Sequence, residues 1–176
     1  QRTVSISQSG FFRWVQPSAQ RTAAVDHTHI ILEEDHAQAQ VYAASFLSKG
    51  AVAELRYTID HLAPQTVSLI ESRSVGSEHS SLDYLAHIFI KESARGSHAT
   101  QHHSALLLSN FASIKAVPEL DICEKDVSCT HGVAISTLRP KDIFYAQSRG
   151  FSKEAATTMF IDAHMAVIEN MLGQTL

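Results

Sequence analysis

The stretch AVAELRYTIDHLAPQTVSLIES, residues 51–72, contains an alternating run, a polar turn and a second short apolar run. Alternation of apolar and polar positions is typical of a β-strand that buries one face. The piece DHLAP, with Pro64, separates the two runs in the manner of a turn. The stretch therefore predicts two β-strands joined by a turn.

The same pattern extends over residues 1 to about 138. Further short runs are VSIS, THIILEE, AQAQVYAASFL, YLAHIFIK, SALLLS, ELDIC and VSCTHGVAIS. Turn-like pieces separate the runs at uneven intervals, around Gly50, Gly76, Gly96, Asn110 and Asp126. Short strands at near-regular spacing are typical of a β-sandwich or of a stack of β-coils. The residues thus predict a mainly β body over 1–138 and leave these two architectures open.

The pattern changes after Leu138. Pro140 suits the first position of a helix, where its missing N–H is not needed, and Gly150 suits a helix end. Ser152 is a suitable N-cap for a second helix. The sequence therefore predicts a C-terminal α-helical segment, 139–176, with helices near 140–149 and 153–172.

The second predicted helix carries an apolar stripe at spacings of three and four residues. Its members are Ala156, Met159, Phe160, Ala163, Val167 and Met171. Such a stripe most often packs against the protein's own body, and docking in a partner's groove is the alternative.

The composition of the 176 residues excludes several classes of protein. A hydrophobic content of 44% is ordinary for a globular domain, and the net charge of −4 disfavours nucleic-acid binding. No run reaches the roughly 18 apolar residues that a membrane helix needs. Two cysteines are too few for a disulfide framework and fit a reducing compartment, so we expect a cytoplasmic protein, or one of a plastid-type organelle if the source is eukaryotic.

Recognised catalytic templates are missing, and no catalytic residue is predicted. Eleven histidines are present, spread along the chain. His98, His102 and His103 lie close together, but no carboxylate or cysteine near them completes a set of zinc ligands. A solvated polar turn is the favoured interpretation of this group.

The segment DVSCTHGVAIS, residues 126–136, places Cys129 and His131 on one face of a predicted strand, beside Gly132. Because Val127, Val133 and Ile135 share that face, Cys129 is expected in the core and His131 at a bend made by the glycine. A ligand role is the alternative. With Cys123, two thiols and an imidazole would form a soft site suited to iron or an iron–sulfur cluster.

The sequence resembles the SufB/SufD family of iron–sulfur cluster assembly proteins. PELDICEKDVSCTHGVAISTLRPKDIFYAQSRGFSKEAA looks like the family's C-terminal signature, P-x-L-x-I followed by a valine, a cysteine, x-H-G-A and L-F-Y-x-x-S-R-G. IDHLAPQTVS is similar to its H-x-x-P-x-T-x-S segment, and GSHATQHHSALLLSNFA resembles its A-x-x-Q-x-x-x-x-L-L-L-S stretch.

The resemblance implies a right-handed parallel β-helix followed by a C-terminal α-helical segment. It further implies a non-catalytic scaffold that pairs through its last β-coils with a SufB-like partner or with itself, and that carries a SufC-type ATPase on the helical segment. Phe144, Tyr145, Arg149 and Gly150 match that docking region. His131 matches a SufD histidine at the pair interface, where a transient iron–sulfur cluster would be shared with the partner chain.

Two departures favour SufD over SufB. Thr130 and Gly132 stand where SufB has glutamates, and Ala112 stands where SufB has an essential cysteine. Two alternatives stay open at this point. One is a family-derived dimer that has lost cluster chemistry, and the other is a carbohydrate-active β-helix, for which the chain is poorly supplied with aromatic residues.

Overall fold

The computed structural model describes residues 2–6, 10–16 and 20–172. Parts of the predicted first run and the last residues of the predicted helical segment lie outside these ranges. The described residues form nine strands and two helices: β1 Arg2–Ile6, β2 Phe11–Gln16, β3 Gln20–Leu32, β4 Gln38–His61, β5 Val67–Gly76, β6 Ser81–Ile90, β7 His98–Leu107, β8 Ser113–Ile122, β9 Ser128–Thr137, α1 Pro140–Ser148 and α2 Lys153–Leu172. None of the helices in these ranges is long and apolar enough to cross a membrane.

All strand pairs are parallel, and each strand lies beside the corresponding strand of the next coil. β5, β7 and β9 follow one another above the first half of β4, while β6 and β8 stack above its second half. Val67 pairs with His98, and His98 pairs with Ser128, so one coil takes about 30 residues. Parallel stacking of successive coils confirms the β-helix and excludes the antiparallel sandwich.

Corners of two kinds explain the uneven spacing of the predicted turns. The turns at Gly50, Gly76 and Asn110 follow one set of strands, and those at Gly96 and Asp126 follow the other. The predicted turn SKG is a corner inside the single long strand β4, where Lys49 has φ 54° and Gly50 has φ 71°. Glycine suits this position because left-handed backbone carries no steric penalty without a Cβ.

The core lies between the two stacks of strands. Inward residues alternate with outward ones along β6, where Leu82, Tyr84, Ala86, Ile88 and Ile90 are all buried. The same alternation holds in the second half of β4. This confirms that the alternation in residues 51–59 marks one buried strand face.

A buried polar network holds the corner between β4 and β5. The ring of His61 contacts Thr66 Oγ1 through Nδ1 at 2.7 Å and Ser68 Oγ through Nε2 at 2.8 Å. Thr66 Oγ1 also lies 2.8 Å from Ser97 Oγ, one coil further on. The HxxPxTxS motif therefore supports the fold: it supplies hydrogen-bond partners to polar groups that are out of reach of water.

The histidines of β7 correct one prediction. His98 and His102 are exposed, but His103 is buried and stacks on Tyr84 with ring centroids 4.1 Å apart. Ser72 Oγ and Ser74 Oγ lie 2.8 Å and 3.2 Å from its ring nitrogens. The solvated turn is wrong because the polar partners of His103 come from the preceding coil, which local sequence does not reveal.

Helices α1 and α2 confirm the predicted helical positions. α2 packs on the outer face of the sheet, where Met165 and Ile168 are buried against Tyr42 and Leu106. Of the predicted stripe, Ala156 is buried, but Met159 and Val167 are 40% and 38% exposed. The predicted stripe is therefore not the packing face, because apolar residues occur at helical spacing on two faces of α2 and the buried face is the one with Met165 and Ile168. The side chain of Met171 is not among those described.

We expect acid to destabilise the protein through His61 and His103. Burial lowers the pKa of His61 from 6.5 to about 4; burial, with smaller contributions from His164 and Arg73, lowers the pKa of His103 to about 4. The unfolded chain therefore takes up protons first, so this stability is present above about pH 6.5 and is lost as pH falls toward 4. Each histidine should cost on the order of 2 kcal/mol of unfolding free energy at about pH 5.

Denaturant unfolding between pH 7.5 and pH 5 measures this loss. His103→Asn should flatten the pH dependence, and His98→Asn, which removes an exposed imidazole of the same strand, is the control. An unfolding free energy that stays constant over this range in the unaltered protein would contradict the expectation.

Candidate functional site

The last coil forms an open end of the solenoid. Among the described strands, β8 pairs only with β6 and β9 pairs only with β7, so each keeps one unpaired edge. Ile122, Val133 and Ile135 are 42%, 37% and 46% exposed, although their register partners in the preceding coil face the core. The open end therefore combines free backbone groups with uncovered core side chains.

His131 lies at the centre of this open end. It pairs in register with Gln101, which is fully buried, so His131 continues an inward-facing row. His131 is exposed because no further coil of the described residues covers it. The predicted bend at Gly132 is wrong, since β9 runs straight through this residue in register with His102.

The two cysteines differ in environment. Cys129 packs partly buried against the core, opposite Ala99, and burial raises the pKa of its thiol. Cys123 is exposed where β8 ends. The prediction that Cys129 shares an apolar, inward face with Val127 agrees with this packing.

The described residues contain no group of three or more His, Cys, Asp or Glu side chains arranged to hold a metal ion. Cys123, Cys129 and His131 therefore do not assemble a complete ligand set within this part of the chain. At the open end, β9 carries an exposed imidazole, His131, with a partly buried thiol two residues before it.

A second polar cluster lies on the outer face of β5, β7 and β9. The sequence patterns did not predict it. Arg73 forms an ion pair with Glu71 at 3.0 Å, and His102 Nδ1 lies 3.5 Å from the same carboxylate. These side chains line a groove of about 330 Å³ beside Gly132. The sequence does contain a signal for this cluster, since polar residues about 30 positions apart on outward faces become neighbours in successive coils. Only the observed register shows which residues these are.

The helical hairpin presents aromatic residues to solvent. Phe144 and Tyr145 are 72% and 62% exposed. The guanidinium of Arg149 lies 5.3 Å from the centre of the Tyr145 ring and donates to its hydroxyl at 3.2 Å. Gly150, with φ 94°, follows the end of α1. The four residues predicted for partner docking therefore lie together at the end of α1.

A groove of about 430 Å³ lies beside Tyr145 and Arg149. It is lined mainly by apolar and aromatic side chains, including Tyr145, Phe151, Met159 and Phe160. The exposed Met159 therefore belongs to a surface shared by α1 and α2, which the predicted stripe did not indicate.

A comparison with protein families identifies the chain. The family described as "SUF system FeS cluster assembly, SufBD core domain" matches residues 1–164. The chain belongs to the SufBD family. This family takes part in iron–sulfur cluster assembly, which agrees with the resemblance seen in the sequence motifs.

Similar proteins carry the same family description. Proteins named "iron-sulfur cluster assembly SufBD family protein" from Staphylococcus epidermidis and Staphylococcus saprophyticus are each 24% identical over 156 residues, which cover 89% of this chain. A Staphylococcus aureus protein of the same description matches equally well. The chain spans 34% of the length of these SufBD relatives. No comparison supports a carbohydrate-active protein.

Proposed function

We propose that this SufBD chain is a non-catalytic scaffold subunit for iron–sulfur cluster assembly, in which the open end of the solenoid pairs with a second chain. The observation that supports this proposal is the uncovered His131 on an inward-facing row at that end. The cluster is cargo held for a short time between two chains. The reduced thiols that such chemistry needs agree with a cytoplasmic location.

The unpaired backbone edges of β8 and β9 support pairing with a second chain through these strands. Unpaired N–H and C=O groups on an edge strand are readily satisfied by a strand of another chain. The exposed Ile122, Val133 and Ile135 add apolar area that a partner would remove from water. The partner is a SufB-like chain or a second copy of this chain.

Ile135→Lys should weaken pairing by about tenfold or more, because it places a charge in the buried part of the interface. Val52→Lys is the matched control, since Val52 is also exposed, at 63%, but lies far from β9 in the fold. Sedimentation equilibrium measures association of the chain alone and with a SufB-like partner. A strictly monomeric chain in both conditions at high concentration would refute the pairing proposal.

His131 is the proposed cluster-binding residue of this chain. A neutral imidazole is a competent iron ligand, and its exposure at the open end lets it reach a cluster held between two chains. Cys129 is less suited to that role, because its partly buried environment disfavours the thiolate that binds iron. Cys123 is exposed but lies at the end of β8, away from the inward row that holds His131.

His131→Ala should leave folding and pairing intact but lower the iron and sulfide content of the purified complex several-fold. Cys129→Ala should keep the cluster and lose about 1 kcal/mol of stability through the small void it leaves. Cys123→Ala serves as an exposed-thiol control. If Cys129→Ala loses the cluster at an unchanged melting temperature while His131→Ala keeps it, the cysteine is the ligand. A complex without iron in every form would show that cluster chemistry has been lost.

The helical hairpin is the proposed docking surface for a SufC-type ATPase. Phe144 and Tyr145 expose aromatic area, Tyr145 also lines an apolar groove, and Arg149 contacts the Tyr145 ring through a cation–π interaction. Aromatic residues and arginine are the residue types that contribute most to protein interfaces. Gly150 ends α1 in the left-handed region, which sets the path of the chain into α2.

Phe144→Ser should reduce ATPase binding by at least about tenfold, because burial of its ring in the interface is lost. Phe111→Ser is the matched control, since Phe111 is 70% exposed against 72% for Phe144 and lies at a corner of the β-body. Calorimetric titration with a purified SufC-type ATPase measures both. Equal affinity for the two variants would place the docking surface elsewhere. Point substitutions are preferred to removal of 139–176, because α2 covers Tyr42 and Leu106.

A further inference from the structure

Gln101 is an unusual residue in the solenoid interior. It lies in an inward row between Ile70 and His131, and both Ile70 and Gln101 are fully buried. Leaving one of its polar atoms unpaired costs about 1–3 kcal/mol. This cost is removed if a residue of the last coil supplies the missing hydrogen-bond partner.

The orientation of the Gln101 amide is fixed by chemistry. Its Nε2 donates to the backbone carbonyl of Ala86 across the interior at 2.8 Å. Exchanging nitrogen and oxygen would bring two acceptors together at this distance, so the amide cannot be turned over. Oε1 must therefore point away from Ala86. It is buried and has no hydrogen-bond partner among the described residues.

The register identifies the donor that Oε1 lacks. His131 occupies the next position of the same row, on a strand about 4.8 Å away, and its imidazole likewise has no hydrogen bond within the described part of the chain. We propose that Gln101 is a positioning residue whose Oε1 accepts a hydrogen bond from one imidazole N–H of His131. This bond fixes the tautomer and leaves the other ring nitrogen, with its lone pair, directed out of the open end.

Tyr84 provides the internal control. Its hydroxyl is another buried polar atom of the interior, close to Ser72, and its ring is held by the stack on His103. If any buried polar atom of the interior influenced His131, substitutions of Tyr84 and of Gln101 would change the His131 tautomer ratio to the same extent. If His131 donates a hydrogen bond directly to Gln101, only the substitution of Gln101 changes that ratio.

The experiment uses the full chain without partner, labelled with ¹⁵N-histidine, at about pH 8, where a free imidazole is neutral. Long-range proton–nitrogen NMR spectra report the tautomer of each ring, and His131→Asn identifies the signals of His131. Unaltered protein should show one strongly preferred tautomer. Gln101→Leu should shift the tautomer ratio by roughly fivefold, as expected for loss of one hydrogen bond, while Tyr84→Phe should leave it unchanged.

Several results would overturn the inference. They are a mixed tautomer in the unaltered protein, an unchanged ratio in Gln101→Leu, or an equal shift in Tyr84→Phe. If Gln101→Leu does not fold, Gln101→Met, which keeps the side-chain length, takes its place, and the spectrum of the unaltered protein remains a test by itself.

The inference concerns the proposed role of His131, but the two fail separately. A single tautomer together with full iron content in His131→Ala would keep Gln101 as a positioning residue and refute the cluster role. A mixed tautomer in the unaltered protein together with loss of iron in His131→Ala would refute the positioning role of Gln101 and keep the cluster role of His131.

Discussion

Coil-to-coil hydrogen bonding is the constraint on which this structure depends. Each interior strand satisfies its backbone groups on the coil before and the coil after. The bonds continue through the corners, as from Val67 N to Ala37 O, His98 N to Thr66 O and Ser128 N to Ser97 O. This hydrogen-bonding pattern does not by itself limit the number of coils, because the edge of any coil can pair with a further one. The last coil must be capped by something else or remain open, and among the described strands none covers β8 or β9. Pro118 lies in β8, where a residue without an N–H is tolerated because, of the strands that the structure describes, only β6 pairs with β8.

The interior shows how polar residues are kept inside such a stack. His61 and His103 are held by hydroxyl groups from their own and neighbouring coils, so their burial is compensated as long as both rings stay neutral. Gln101 differs because only one end of its amide is satisfied. It lies directly beneath the open end, where incomplete hydrogen bonding is useful if a residue of the last coil completes it.

The open end formed by β8 and β9 and the helical hairpin both lie where the stack of coils ends. The chain leaves β9 through Arg139, which pairs with Asp142 at 2.9 Å at the start of α1. α2 then returns to cover apolar side chains on the outer face of the sheet. One face of α2 thereby contributes to the protein's own stability, whereas Phe144 and Tyr145 of α1 remain exposed to solvent.

The sequence by itself determined the strand content, the two C-terminal helices and, through its ordered motifs, the family. These features depend on local periodicity, on Pro140 and Gly150 at helix ends, and on residues read one at a time. Only the tertiary structure decided that the turns form two series of corners, that His103 is buried, that α2 packs through Met165 and Ile168, and that Gln101 lies beneath His131. Each of these depends on contacts between residues that are distant in the sequence: about 30 positions apart between successive coils, where the register decides which side chains become neighbours, and farther apart where α2 packs on the sheet.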